Sequence, residues 1–138
     1  LAAKRMVHFP DDNSTQLELP RLVYFDYQRA PVTIHSETAE SAQGGDDVFF
    51  RGDVQIIRSA YGDKAELGIF TSFLHVIPDR DLAQTDKPVR MVEGSSTASS
   101  VGLEFNNVTR ELKLLSEVKA SYEPPKRSIQ KPRPSGRR

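Results

Sequence analysis

The chain has 138 residues, of which 19 are basic and 19 acidic, and it has no cysteine and no tryptophan. The lack of cysteine excludes disulfide scaffolds, zinc–thiolate sites and cysteine nucleophiles, and no apolar run approaches the roughly 20 residues that span a bilayer. The charge is unevenly divided: residues 1–123 carry 13 bases and 19 acids, a net charge of −6, whereas residues 124–138 carry six bases and no acid.

Short segments in which apolar and polar residues alternate follow one another along residues 1–123. From Val48 to Ile56 the even-numbered residues are mostly apolar and the odd-numbered ones mostly polar, which is typical of a half-buried strand. Turn residues separate such segments, at Asp11-Asp12-Asn13, Gly44-Gly45-Asp46, Tyr61-Gly62-Asp63, Pro78-Asp79-Arg80 and Asn106-Asn107. The pattern predicts about ten short strands and an all-β sandwich, barrel or roll.

A divergent repeat is superimposed on these strands. Its first half occurs three times, as Ile34-x-Ser36-x-x-Ala39, Ile69-x-Thr71-x-x-Leu74 and Ala98-x-Ser100-x-x-Leu103. A valine follows each hydroxyl residue by 18 positions, at Val54, Val89 and Val118. The strands of one such unit cannot bury an apolar face alone, so the copies predict an elongated, layered β structure.

The last segment, Leu112 to Tyr122, fits two structures. Leu112, Leu115 and Val118 share the face of an amphipathic helix, and Glu, Lys, Leu and Ala favour helices. The equivalent repeat segment, Val48 to Ile56, alternates with period two and is rich in Phe, Val and Ile. We therefore predict a strand.

No motif in the chain indicates catalysis. The three histidines, His8, His35 and His75, lack neighbours at metal-ligand spacing, and the nucleophile-elbow and phosphate-loop patterns are absent. The acidic body and the lack of aromatics in residues 124–138 argue against nucleic-acid binding. We expect a protein that is not an enzyme and has no metal ion or cofactor.

Apolar residues of several segments share one strand phase and form the candidate interior. One interpretation is an ordinary packed core. The other is a roll whose two sheets splay apart and leave an apolar trough for a lipid. The candidate trough residues are Ile34, Phe50, Val54, Ile56, Ile69, Phe105, Leu114 and Val118.

Three stretches resemble the LptC family of lipopolysaccharide export proteins. They are Val48-Phe-Phe-Arg-Gly-Asp-Val-Gln-Ile56, Pro78-Asp-Arg-Asp-Leu-Ala-Gln-Thr-Asp-Lys-Pro-Val-Arg90 and Leu112-Lys-Leu-Leu-Ser-Glu-Val-Lys-Ala-Ser-Tyr-Glu123. The likeness covers nearly all of residues 1–123 and leaves out the basic, proline-rich tail, 124–138, which we expect to be disordered. The related bridge protein LptA shares the repeat; the Ser-Tyr-Glu ending and the single set of repeats favour LptC.

The resemblance implies an open, V-shaped β-jellyroll in the periplasm of a Gram-negative bacterium, tethered to the inner membrane by an N-terminal helix that is absent from this chain. Such a protein takes lipopolysaccharide from an inner-membrane ABC extractor, through the extractor's LptF/LptG roll, and passes it to LptA. Rolls of this kind join edge to edge, so a head-to-tail homo-oligomer is also expected. The implied docking edge comprises Leu112, Leu114, Ser116, Val118, Ala120 and Tyr122.

Three alternatives remain at this point. The chain could be the soluble LptA-like bridge itself. It could be a jellyroll that binds or cleaves polysaccharide, which the lack of tryptophan and the presence of only four tyrosines disfavour. It could also be a scaffold without lipid, in which side chains would fill the interior.

Overall fold

The computed structural model describes residues 2–26 and 29–122, and ten antiparallel strands account for most of them. The strands are β1 (Arg5–Phe9), β2 (Ser14–Glu18), β3 (Arg21–Asp26), β4 (Arg29–His35), β5 (Thr38–Ala42), β6 (Asp47–Arg58), β7 (Leu67–Ile77), β8 (Leu82–Glu93), β9 (Ser96–Asn106) and β10 (Leu112–Tyr122). Two single-turn 3-10 segments, Gln43–Gly45 and Pro78–Arg80, lie between strands. The all-β prediction is confirmed, and Leu112–Tyr122 is a strand. The basic tail, 124–138, lies outside the described residues.

The long strands β6 to β10 each take part in two half-sheets. Half-sheet A follows the order β1-β2-β5 and continues through one segment of each long strand. From β6 to β10 these segments are 47–51, 73–77, 82–85, 103–106 and 112–116. Half-sheet B consists of β3 and β4 and continues through 54–58, 67–71, 88–93, 96–101 and 119–122. Breaks in the pairing register separate the halves, and such irregularities allow a sheet to bend.

The two half-sheets enclose one hydrophobic core. Half-sheet A contributes Phe50, Leu74 and Leu103, all 0% exposed, and half-sheet B contributes Val54 at 0% and Ile56 at 4%. These residues come from the apolar phase of each strand, so the period-two pattern correctly predicted which side chains point inward. The architecture is an open roll: β10 forms one end, and β1 and β3 form the other.

A hydroxyl residue lies at the bend in each copy of the repeat. Ser36 and Ser100 are buried; the Ser36 hydroxyl donates to the carbonyl oxygen of Thr38 at 2.7 Å, and that of Ser100 to the carbonyl oxygen of Gly102 at 2.9 Å. Thr71 donates across to a carbonyl oxygen of β8 at 2.9 Å. Because the ladder is interrupted at a bend, these hydroxyls supply hydrogen bonds that neighbouring strands do not. The repeat therefore marks where each strand turns from one half-sheet to the other.

Left-handed backbone accompanies the bend in two copies. Asp53 and Glu117 precede the repeat valines and have φ values of 46° and 48°. The equivalent residue of β8 is Pro88, whose ring holds φ near about −65°. Strand β8 therefore bends through a register shift between Thr85 and Pro88 without a left-handed residue.

The turn between β1 and β2 is closed by a carboxylate. Asp12 accepts hydrogen bonds from the Ser14 hydroxyl at 2.7 Å and from the Ser14 backbone N–H at 3.1 Å. These bonds stabilise the charged form, and they hold the pKa of Asp12 below its usual value, with the hydroxyl making the larger contribution.

Candidate functional site

A partly open cavity of about 270 Å³ lies between the half-sheets, at the strand ends away from the bends. Its floor is apolar and draws on both halves of the roll. Half-sheet B and its connecting segment supply Ala30, Val32, Ile56, Leu67 and Ile69, and half-sheet A supplies Phe105 and Leu112. A small adjoining cavity extends the space along Ile34, Ala83 and Phe105. Apolar walls in a concave opening are typical of a ligand site.

Polar residues line the same cavity at its rim: Arg58, Tyr61, Lys64 and Arg110. Arg58 ends β6, and its Nη2 donates to the carbonyl oxygen of Ala65 and to Glu93 Oε2, both at 2.7 Å. The Arg58 guanidinium carbon lies 5.6 Å from the centre of the Tyr61 ring. The cavity lining therefore combines apolar side chains with polar ones, of which Arg58 is ion-paired with Glu93.

The predicted trough residues divide into three groups. Ile56, Ile69 and Phe105 line the main cavity, and Ile34 lines its small extension. Phe50 and Val54 are fully enclosed in the core, and Leu114 is partly buried against it.

Val118 is not brought to the interior and is 50% exposed. The register of β10 breaks between Ser116 and Lys119, so Glu117 and Val118 together lie opposite one position of β9. The bulge interrupts the period-two alternation on which the placement of Val118 was based.

The docking-edge residues all lie on β10, whose described pairing is with β9 alone. Leu112 and Leu114 turn inward, whereas Ser116, Val118 and Ala120 are exposed. The side chain of Tyr122 lies outside the described residues. Leu115 is 55% exposed, so this edge combines backbone available for pairing with two large apolar side chains, Leu115 and Val118.

The opposite end of the roll has the same character. Strand β1 pairs only with β2 among the described strands, and its residues are all exposed. Met6, Val7 and Phe9 are 54%, 41% and 40% exposed. A strand with one unpaired edge and exposed apolar side chains is a template for another strand.

An aromatic cluster covers part of the outer face. Phe49 stacks on its cross-strand partner His75 with ring centres 4.5 Å apart, and Asp47 Oδ1 lies 2.7 Å from His75 Nε2. The Arg51 guanidinium carbon lies 5.6 Å from the ring centres of both Phe49 and Phe73. Cross-strand pairs of this kind stabilise a sheet. Among the described residues, no set of three or more histidines and carboxylates is arranged to hold a metal ion.

The sequence-based candidates missed part of the cavity. Val32 and Leu67 precede Ile34 and Ile69 by two residues and so share their inward phase. Arg58 continues the phase of Val54 and Ile56 at the strand end, and a cation in an otherwise apolar phase is a signal that could have identified it. Lys64 and Arg110 come from connecting segments, where strand phase makes no prediction.

Comparison with solved structures identifies the fold. Eleven chains match, and one is described as the crystal structure of LptH from Pseudomonas aeruginosa, the LptA-homologous periplasmic component of the lipopolysaccharide transport device. The TM-score is 0.67 at 7% sequence identity, and the match covers 89% of this chain and 93% of that one. At this identity the likeness establishes the fold, which is that of the LptA-like β-jellyroll.

Comparison with protein families identifies the lineage. The family described as "Lipopolysaccharide-assembly, LptC-related" matches residues 1–123. Comparison with curated proteins gives no match. Within the described residues, no helix has the length and apolar character needed to cross a membrane. The chain thus belongs to the LptC-related family of lipopolysaccharide-assembly proteins.

Proposed function

We propose that this chain is the relay that receives lipopolysaccharide from the inner-membrane ABC extractor and passes it to the periplasmic bridge protein. The observation that carries the proposal is the apolar cavity between two half-sheets in a roll whose end strands each have one edge unpaired within the described residues. The cavity supplies the acyl-chain site, and the edges supply the docking surfaces. The relay needs no catalysis by this chain.

The physical case rests on partial burial. Each methylene removed from water contributes about 0.8 kcal/mol, so acyl chains cannot cross the periplasm exposed. A closed pocket would retain the lipid, whereas a cavity with an open side shelters the acyl chains and leaves the sugar in water. Ile56, Ile69 and Phe105 are the proposed acyl contacts from the original set, with Val32 and Leu112 added by their place in the cavity wall.

Docking is proposed to occur by strand addition at the two ends. In this scheme β10 pairs with the bridge protein LptA, and β1 with β3 faces the LptF/LptG roll of the extractor. Both edges present backbone that is unpaired within the described residues, which supports a head-to-tail homo-oligomer at high concentration. We further propose an inner-membrane tether N-terminal to the domain, with 1–123 as the folded unit and 124–138 as a basic tail.

Photo-crosslinking tests the lipid site. A photoreactive residue at Phe105 or Leu112 should form lipopolysaccharide adducts in cells, because both line the cavity. The same residue at Lys87, exposed at the bend of β8, is the matched control and should form none. A folded protein without adducts at Phe105 and Leu112 would contradict a lipid trough and leave docking as the remaining role.

A second pair of probes tests the direction of docking. A photoreactive residue at Lys119 on β10 should capture the bridge protein, and one at Arg5 on β1 should capture the extractor's roll. Capture of bridge-protein copies at both edges, with no extractor adduct, would instead favour the soluble LptA-like bridge. The structural likeness to LptH is the observation that supports this second candidate function, that of a soluble bridge.

A further inference from the structure

We propose that the Arg58–Glu93 ion pair divides the inner face of half-sheet B into two acyl-chain sites, one on each side of Leu67. The first site is the apolar cavity already assigned to the lipid, and the second is a cavity that continues to β10. This inference rests on the proposed function, because it requires that hydrocarbon enters the first cavity. It adds a second place for an acyl chain and a polar boundary between the two places.

The second cavity has a volume of about 350 Å³ and lies next to the β10 edge. Met91, Ala98 and Ala120 line it, and the strand register places them in one row with Ile69 of the first cavity. Directly opposite residues of neighbouring strands lie on the same face of a sheet, so this row continues the inner face from β7 to β10. Leu67 lines both cavities, which are therefore neighbours on that face.

The ion pair crosses the boundary between the two cavities. Leu67 of β7 lies opposite Arg58 on one side and opposite Glu93 on the other. The backbones of Arg58 and Glu93 are thus two strand spacings apart, about 10 Å, yet Arg58 Nη2 lies 2.7 Å from Glu93 Oε2. The two side chains therefore meet above Leu67. Arg58 lines the first cavity and Glu93 lines the second.

The pair is anchored on the side of the first cavity. Arg58 Nη2 also donates to the Ala65 carbonyl oxygen at 2.7 Å, and the Arg58 side chain is 18% exposed. The Glu93 side chain is 44% exposed, so its carboxylate still meets water. Among the described residues that line the second cavity, Glu93 is the charged one. The boundary is therefore a hydrated polar strip between two stretches of apolar side chains.

Hydrocarbon laid across this strip would remove water from charged atoms. An acyl chain has no group that could replace the lost hydrogen bonds, so covering the strip costs free energy. On either side, a methylene that reaches Ile69 or Met91 leaves water for an apolar surface, which is favourable. A single chain therefore lies in one cavity or in the other, and a lipid with several chains can place them on both sides.

Binding of alkyl maltosides of increasing chain length to the complete chain tests the division. These ligands have an uncharged head and one alkyl chain, and displacement of a fluorescent probe below the micelle concentration gives their affinities. Each added methylene should raise the affinity by up to about 4-fold while apolar surface remains to receive it. In the unaltered protein the rise should stop once one cavity is filled. In Arg58→Met/Glu93→Leu, whose strip is apolar, the rise should continue to longer chains.

Matched variants distinguish a boundary from a general effect of charge removal. Arg51→Met/Glu40→Leu removes an ion pair of 3.8 Å from the outer face and should level off at the same chain length as the unaltered protein. Arg58→Lys keeps a cation opposite Glu93 and should do the same. Glu93→Leu alone leaves the bond from Arg58 to Ala65 in place, so it serves if the double variant does not fold, and it should also extend the rise.

Each other outcome has a definite meaning. The same length dependence in the unaltered protein and in the apolar variants would overturn the division. Lower stability of these variants in urea, without a change in length dependence, would give the pair a structural role alone and would overturn it as well. Binding of lipopolysaccharide without binding of any alkyl maltoside would contradict sites for single chains. If the unaltered protein binds neither ligand, the proposed function itself fails.

Discussion

Phe105 and Leu103 provide a direct test of whether the interior is open. They lie two residues apart on β9, and both point inward, but Leu103 is 0% exposed in the core whereas Phe105 is partly exposed and lines the cavity. Leu103→Ala leaves a sealed void and should cost about 3 kcal/mol of unfolding free energy. A fully buried phenylalanine costs about 3–5 kcal/mol on truncation. Phe105→Ala only enlarges an existing space, so we expect about 1–2 kcal/mol.

Urea unfolding of both variants measures these free energies, with equal m-values as the check that the denatured states are alike. For a domain of this size 1 kcal/mol corresponds to about 3–6 °C in Tm, so Leu103→Ala should unfold about 10–15 °C earlier. The effects on lipopolysaccharide binding should have the opposite order. Phe105→Ala should lower the affinity about 10-fold, because a ring that faces an acyl chain is lost, and Leu103→Ala should lower it less. Phe73→Ala, on the outer face, is the matched aromatic control.

The reasoning is refuted if Phe105→Ala destabilises the fold as much as Leu103→Ala does. That outcome would place Phe105 in a closed core and remove the cavity from consideration. Unchanged lipid binding in Phe105→Ala, with the fold intact, would equally contradict its place in the trough.

Three further predictions concern the bends and one turn. Ser100→Ala should cost about 1–2 kcal/mol in urea unfolding because a buried carbonyl loses its hydroxyl partner, and Ser100→Thr, which keeps the hydroxyl, should cost less. Gly52→Ala should destabilise the fold more than Gly62→Ala does. Both glycines have a positive φ, but only at Gly52 would the new Cβ collide with a side chain, that of Glu37. Similar urea midpoints for the two variants would contradict this packing. Because the pKa of Asp12 is lowered in the folded state, its carboxylate stabilises the fold at pH values above the unfolded pKa of about 3.9, and this stabilisation is lost as the pH falls through the folded pKa. Asp12→Asn should therefore be less stable than the unaltered protein at pH 7. The unfolding curves of the two proteins should converge as the pH falls below about 4.

Most of the fold follows from local pattern in the sequence. Alternation correctly assigned Phe50, Val54 and Ile56 to the interior. The repeat predicted stacked β units, and only the structure shows that its hydroxyl residues Ser36 and Ser100 lie at the bends. Both signals are short-range, since they depend on strand phase and on hydroxyls that bond two residues away. The strand–helix ambiguity of β10 was settled by comparison with the equivalent segment of β6.

The candidate site was less accessible to such reasoning. Strand phase separates inward from outward side chains, but it does not give the distance between two half-sheets, so it grouped the enclosed Phe50 with the cavity-lining Phe105. The bulge at Glu117 places Val118 outside the interior, and the residue types there do not predict a left-handed backbone. Lys64 lies in the segment that connects β6 to β7, and its place at the cavity depends on how that segment folds over the strand ends.

The number of strands in half-sheet A gives the roll a definite length. Eight strands at about 4.8 Å spacing separate its two edges by about 34 Å. Two rolls added by strand pairing at these edges would therefore be held apart by the full width of this domain. Each edge could then gain or lose a partner strand without disturbing the pairing at the other edge, so the two docking events would be independent unless the domain itself changes shape.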